Sequence, residues 1–188
     1  MPLTPPVERE ALHTRRVECH GYRRHDGLWD IEGHLVDTKT YPFPNRWRGD
    51  VVAGEPVHEM WLRVTIDDEM LIHDAQASTE FSPFEMCADI TPAYQQLIGV
   101  RIGPGWTRII KEKLGGIKGC THLGELLRPI ATAAYQTLAA RKRYMTEAQR
   151  QAWEDPERRP MVLKTCHAYA EDSAVVKTFY PLFYKPPA

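Results

Sequence analysis

Residues 58–66 constrain this chain most. His58, Met60, Leu62, Val64 and Ile66 alternate with Glu59, Trp61, Arg63 and Thr65, the period of two that sends successive side chains to opposite faces of a strand. Asp67, Asp68 and Glu69 then break the pattern, and residues 70–79 run back, so a β-hairpin with one buried face is expected here. A second hairpin is expected earlier, with residues 16–24 leading into the turn signal His25-Asp26-Gly27 and residues 28–39 returning. In its return strand Trp29, Ile31 and Leu35 share one face, and Asp30, Glu32, His34 and Val36 share the other. One face reads as core and the other as acidic and solvated.

Between the hairpins, residues 41–55 carry prolines, glycines and arginines and read as a long loop partly covering a site, with Trp47 and Arg48 either contacting a ligand or pinning the loop. After Ser82-Pro83 the spacing turns helical. Thr91-Pro92 predicts a short helix ending at Gly99, and Pro104 opens a second whose Trp106, Ile109, Ile110 and Leu114 form an apolar stripe stopped by Gly115-Gly116. A longer helix is expected from an N-cap at Thr121, with Leu123, Leu126, Leu127, Ile130, Ala134 and Leu138 on one face. Pro129 lies inside it, which predicts a kink or a separate first segment. Thr146 and Gln149 have capping-box spacing for a last helix, and residues 162–177 read as a hairpin before an aromatic, Pro-rich tail. The fold class is therefore α+β, an antiparallel sheet of hairpins packed against C-terminal helices. Its expected organisation is a flexible arm over 1–14, one domain over 15–178 and the tail over 179–188.

Charge excludes some functions. Lysine and arginine total 24 against 25 aspartates and glutamates, a net charge of −1, which gives no field for nucleic acid or an anionic membrane. No apolar run approaches the roughly 20 residues that span a bilayer, and the start lacks the apolar middle of a signal peptide, so a cytoplasmic protein is expected. The aromatic tail is the expected surface for homo-oligomer contacts.

The chemistry concentrates in residues 115–127. A Gly-rich approach delivers Cys120, Thr121 and His122 to a helix start, where unpaired backbone N–H groups favour a thiolate. The four cysteines form no Cys-x-x-Cys unit, but three have a histidine within two residues: Cys19, Cys120 and Cys166. Three readings stay open. In the first, His58, Cys87, Cys120 and His122 hold a zinc ion in a tetrahedron with bonds of roughly 2.0 to 2.3 Å. In the second, Cys120 is the nucleophile of a small-molecule hydrolase or lyase, with His122 or His58 as base and Glu32, Lys39 and Trp47 orienting the ligand. The third is a non-catalytic binding or structural module with buried thiols.

Arg24-His25-Asp26-Gly27, Asp30-Ile31-Glu32-Gly33, Asp37-Thr38-Lys39, Gly54-Glu55-Pro56-Val57-His58 and Gly119-Cys120-Thr121-His122-Leu123 together resemble a bacterial family labelled only as a domain of unknown function, number 2889. That resemblance implies a shared fold over residues 13–181 and no established activity. Residues 58–75 also look like the central hairpin of the NifU-type iron–sulfur scaffold proteins, with Cys87 and Cys120 following in order. This second resemblance implies His58, Cys87 and Cys120 as ligands, with His122 as a fourth. Two thiolates and two imidazoles suit zinc better than an iron–sulfur cluster.

Overall fold

The expected hairpins pair into one four-stranded antiparallel sheet. In the computed structural model, which describes residues 3–187, its strands are β1 (His13–Arg23), β2 (Trp29–Lys39), β5 (Pro56–Ile66) and β6 (Ile72–Phe81), in the order β1-β2-β5-β6. Burial in β2 alternates as the period of two requires: Trp29, Ile31, Gly33, Leu35 and Asp37 are buried, and the residues between them are less so. The inward set thus extends past Leu35 to a charged residue. Residues 41–55 are not wholly loop, because β3 (Phe43–Asn45) and β4 (Gly49–Val51) form a small ribbon there.

Beyond β6 a 3-10 segment, Glu85–Leu97, replaces the expected helix, starting earlier and carrying Pro92 inside it. The helices α1 (Trp106–Leu114) and α2 (Thr121–Leu138) follow. α2 buries Leu123, Leu126, Leu127, Ile130, Ala131, Ala134 and Leu138 toward the inner face of the sheet, each large side chain contributing about 1.5–3 kcal/mol. A Cβ on Gly33 would lie 2.9 Å from Ile130 Cδ1, and one on Gly21 would overlap Thr137. Glycine at these two inward positions lets the helix approach the strands. Pro129 leaves the Glu125 carbonyl without its usual donor, yet α2 runs unbroken through it, so no separate first segment forms. Its N-cap is Cys120, one residue before the expected Thr121.

The chain divides into two compact units, one up to Ala139 and the other from Ala140 on. In the second unit, α3 (Glu147–Trp153) has the expected capping box between Thr146 and Gln149. The expected hairpin over 162–177 does not form. Ser173 instead accepts a hydrogen bond from the Val176 N–H and caps α4 (Ala174–Phe179), which outweighs the strand preference of Val175 and Val176. Among the described residues no helix is long and apolar enough to cross a membrane.

Candidate functional site

Strand register assembles the first half of the site. Arg15 on β1 lies opposite Asp37 on β2, and Asp37 lies opposite His58 on β5, so the three side chains stand in a row on the inner face. A shift of register between Asp37 and Thr38 ends the regular pairing just beyond the row. Helix α2 supplies the second half. Tyr94, buried in the 3-10 segment, donates its hydroxyl hydrogen to the Cys120 carbonyl at 3.0 Å and accepts the Cys120 N–H at 3.2 Å, which fixes the backbone where α2 begins. Burial pushes the Tyr94 hydroxyl well above its ordinary pKa, so it stays protonated.

Asp37 is the hub. Its side chain is 3 % exposed, and the Arg15 guanidinium grips it at two points, Nε to Oδ1 at 2.8 Å and Nη2 to Oδ2 at 2.7 Å. His13 Nε2 lies 3.0 Å from Oδ1, and His58 Nδ1 lies 3.1 Å from Oδ2. Four contacts match the roughly four lone-pair sites of a carboxylate. An ionised carboxylate only accepts hydrogen bonds, so His58 carries its proton on Nδ1 and leaves Nε2 as a free lone pair. Arg15 also pairs with Glu125 on α2, which ties the row to the helix.

The imidazole of His122 stacks on that of His58, with ring centroids 3.7 Å apart and planes at 26°. Its Nε2 is 3.9 Å from Asp37 Oδ2, while its Nδ1 is 3.9 Å from Cys120 Sγ. Cys120 Sγ also touches Met60 Sδ at 3.9 Å. Electrostatics follow from this crowding. Burial first, then the neighbouring His122 and Arg15, hold His58 down at about 4, and Asp37 only partly opposes them. His122 is lowered by burial and Arg15 against the pull of Asp37 and Glu125. For Asp37 burial acts upward, but the Arg15 hydrogen bonds and charge, with His13, outweigh it and keep the carboxyl below its usual range. Near neutral pH the site therefore presents an ionised carboxylate behind two neutral imidazoles.

Asp37, His58 and His122 each offer one ligand atom within 4.8 Å of the other two. Of the residues anticipated from sequence, His58, Cys120 and His122 come together. Neither Cys87, which lies in the 3-10 segment, nor Cys120 is in that Asp-His-His group, although Cys120 Sγ lies 3.9 Å from His122 Nδ1. Glu32 is on the opposite face of β2, paired with Arg63 at 3.5 Å. Lys39 places its ammonium 4.3 Å from the Phe43 ring and 5.1 Å from that of Tyr41, and Trp47 packs edge-on to Phe84 while half exposed. The hub and its partners Arg15 and His13 were not anticipated. A signal existed for the hub: Asp37 continues the inward series 29, 31, 33, 35, and a charge in such a series needs a partner.

A family model described as "Protein of unknown function (DUF2889)" matches residues 13–136. That span is more than half of the chain and includes every residue of the cluster. No curated protein and no solved structure matches, so the likeness to NifU-type scaffolds is not shown.

Proposed function

The chain belongs to the DUF2889 family of proteins of unknown function, and we propose that the cluster its matched span carries is a mononuclear metal centre with zinc as the preferred ion. The observation that carries the reading is the position of Asp37, buried and facing Nδ1 of His58 and Nε2 of His122. Metal-bound histidines ordinarily direct their second nitrogen to a carboxylate of this kind, which fixes the tautomer and the ring orientation. Because Asp37 is already committed to Arg15 and His13, it serves from behind the imidazoles rather than as a ligand. The atoms this leaves for an ion are His58 Nε2 and His122 Nδ1, with Cys120 Sγ, 3.9 Å from the latter, as the third donor of the proposed set.

That donor set fits zinc, which takes nitrogen and thiolate sulfur and keeps an open position in catalytic sites with three protein ligands. It fits an iron–sulfur cluster poorly, since clusters are held mainly by several thiolates and only one cysteine stands here. When bound, zinc supplies a Lewis acid able to polarise a carbonyl or lower the pKa of a water. The chain's own contribution is to keep both imidazoles neutral, hold their orientation through Asp37 and Arg15, and anchor Cys120 through Tyr94.

A second reading has its own observation. Cys120 Sγ, His122 and Asp37 lie in the order thiol, imidazole, carboxylate, with 3.9 Å at each step, the arrangement of a nucleophile, its base and the group that orients the base. This would make the protein a metal-free small-molecule hydrolase or lyase. Elemental analysis of untagged protein beside Cys120→Ser separates the two. Near-stoichiometric zinc in the parent, lost in the variant while its circular dichroism is unchanged, is expected. No metal in the parent, together with a thiol that reacts fast at mildly acidic pH, would replace the first reading with the second.

A further inference from the structure

α1 and α2 face each other along a seam. Thr107, Ile110, Lys111 and Leu114 on α1 follow the spacing i, i+3, i+4, i+7, as do Thr121, Gly124, Glu125 and Arg128 on α2, so each set occupies one helix face. Packed helices normally fill such a seam with side chains. This one stays open, as a groove of about 420 Å³ lined by these residues and by Gly115, Gly116 and Cys120. The size lies within the roughly 300–1,000 Å³ of small-molecule sites.

Gly124 keeps it open. Gly21 and Gly33 are pressed by α2, whereas a Cβ on Gly124 would meet nothing within 4 Å. Packing therefore does not require glycine at 124, although glycine costs a helix about 1 kcal/mol relative to alanine. The chemistry of the lining is uneven. Ile110 and Leu114 provide apolar surface, Glu125 is engaged by Arg15, and Lys111 and Arg128 have no ion pair among the described residues. Cys120 belongs to both groove and cluster.

We propose that this groove is the substrate seat of the Cys120 centre and receives a small organic carboxylate with an apolar body. Lys111 and Arg128 hold the carboxylate, Ile110 and Leu114 cover the body, and the remaining end lies toward Cys120. The identification as a substrate seat rests on the centre being reactive; the binding itself does not.

The test is a titration of the full-length protein, as purified, with butanoate, benzoate and 3-phenylpropanoate, followed by amide NMR shifts along residues 107–128. The amide 3-phenylpropanamide serves as the uncharged control. At least one acid is expected to bind at millimolar concentration and to shift the seam, with the amide about tenfold weaker, equivalent to 1.4 kcal/mol. Gly124→Leu fills the groove with a better helix former and is expected to abolish binding without lowering the melting temperature. The exposed pair Lys111→Gln/Arg128→Gln leaves the core untouched and should weaken acid binding at least tenfold without affecting the amide. Failure of all three acids to shift the seam, or unchanged acid binding in the charge-removal pair, overturns the proposal. The metal assay is independent of it: metal present with no acid bound removes the groove alone, and acid bound with no metal removes the zinc reading alone.

Discussion

Arg15→Gln should weaken the first unit more than any other single change to an exposed or half-exposed side chain around the cluster. The substitution removes both guanidinium bonds to Asp37, at 2.8 and 2.7 Å, and leaves a carboxylate that is 3 % exposed without its cation. Breaking a buried pair from one side costs about 3–5 kcal/mol. Arg15 is itself 31 % exposed, so water partly replaces it, and His13 and His58 keep their contacts; about 2–3 kcal/mol is expected. Asp37→Asn keeps the shape, removes the buried charge and leaves Arg15 its Glu125 partner, so a smaller loss of about 1–2 kcal/mol is expected. The double variant should fall near Asp37→Asn alone, giving a coupling of about 2–3 kcal/mol, the whole cost of Arg15→Gln. Native-state hydrogen exchange at the amides of Leu62 and Val64, in central strand β5, reads the first unit without contribution from the second. Chelator present throughout removes any metal linkage. A second readout is the His58 titration: burial is the main reason its pKa is low, but Arg15's charge adds to it, so Arg15→Gln should move it upward. A loss below about 0.5 kcal/mol, or additivity of the two single variants, would refute the account of Asp37 as a buried charge that Arg15 keeps ionised.

Stability of the metal-free protein should fall as pH drops from about 6.5 to about 4. His58 binds its proton at about 4 when folded but near 6.5 when unfolded, so the unfolded state takes up more protons in this window and stability declines toward acid. The full difference would be worth roughly 3.4 kcal/mol at 1.36 kcal/mol per unit, and partial solvent access reduces it to about 1–2 kcal/mol. Below this window Asp37, whose pKa is depressed, adds a further loss as it protonates. Unfolding measured at pH 7, 5.5 and 4.5 checks the sign, and an equal slope in His58→Gln would assign it elsewhere. Gly33→Ala should cost about 1–3 kcal/mol by pushing on Ile130 Cδ1, 2.9 Å from the new Cβ. Adding Ile130→Val removes that methyl, so the double variant should lose less than the sum of the singles in urea unfolding; strict additivity would show that the helix does not press on this strand.

The sequence by itself determined the four strands of the main sheet and the main helices, but not the small ribbon within residues 41–55. A period of two over 58–66 and a period near 3.6 over 121–138 are local properties of neighbouring residues, and the sheet and α2 follow from them. It also placed His58 on the buried side of its strand and Cys120 and His122 at the start of a helix. Where local signals competed, it was less decisive. Valines at 175 and 176 suggested a strand, but one serine cap made a helix, and Pro92 sat inside a 3-10 segment rather than opening an α-helix.

What only the tertiary structure decided is which charges meet. Arg15, Asp37, His58 and His122 are separated by 22, 21 and 64 positions along the chain, and none of them alone identifies the others as its partners. Antiparallel register brings the first three into one row, and burial of α2 places His122 and Cys120 above it. The same burial removes the water that would otherwise separate the groups and sets their protonation states. Pairing register and desolvation are cooperative properties of the packed sheet and helix, and no window of sequence contains them.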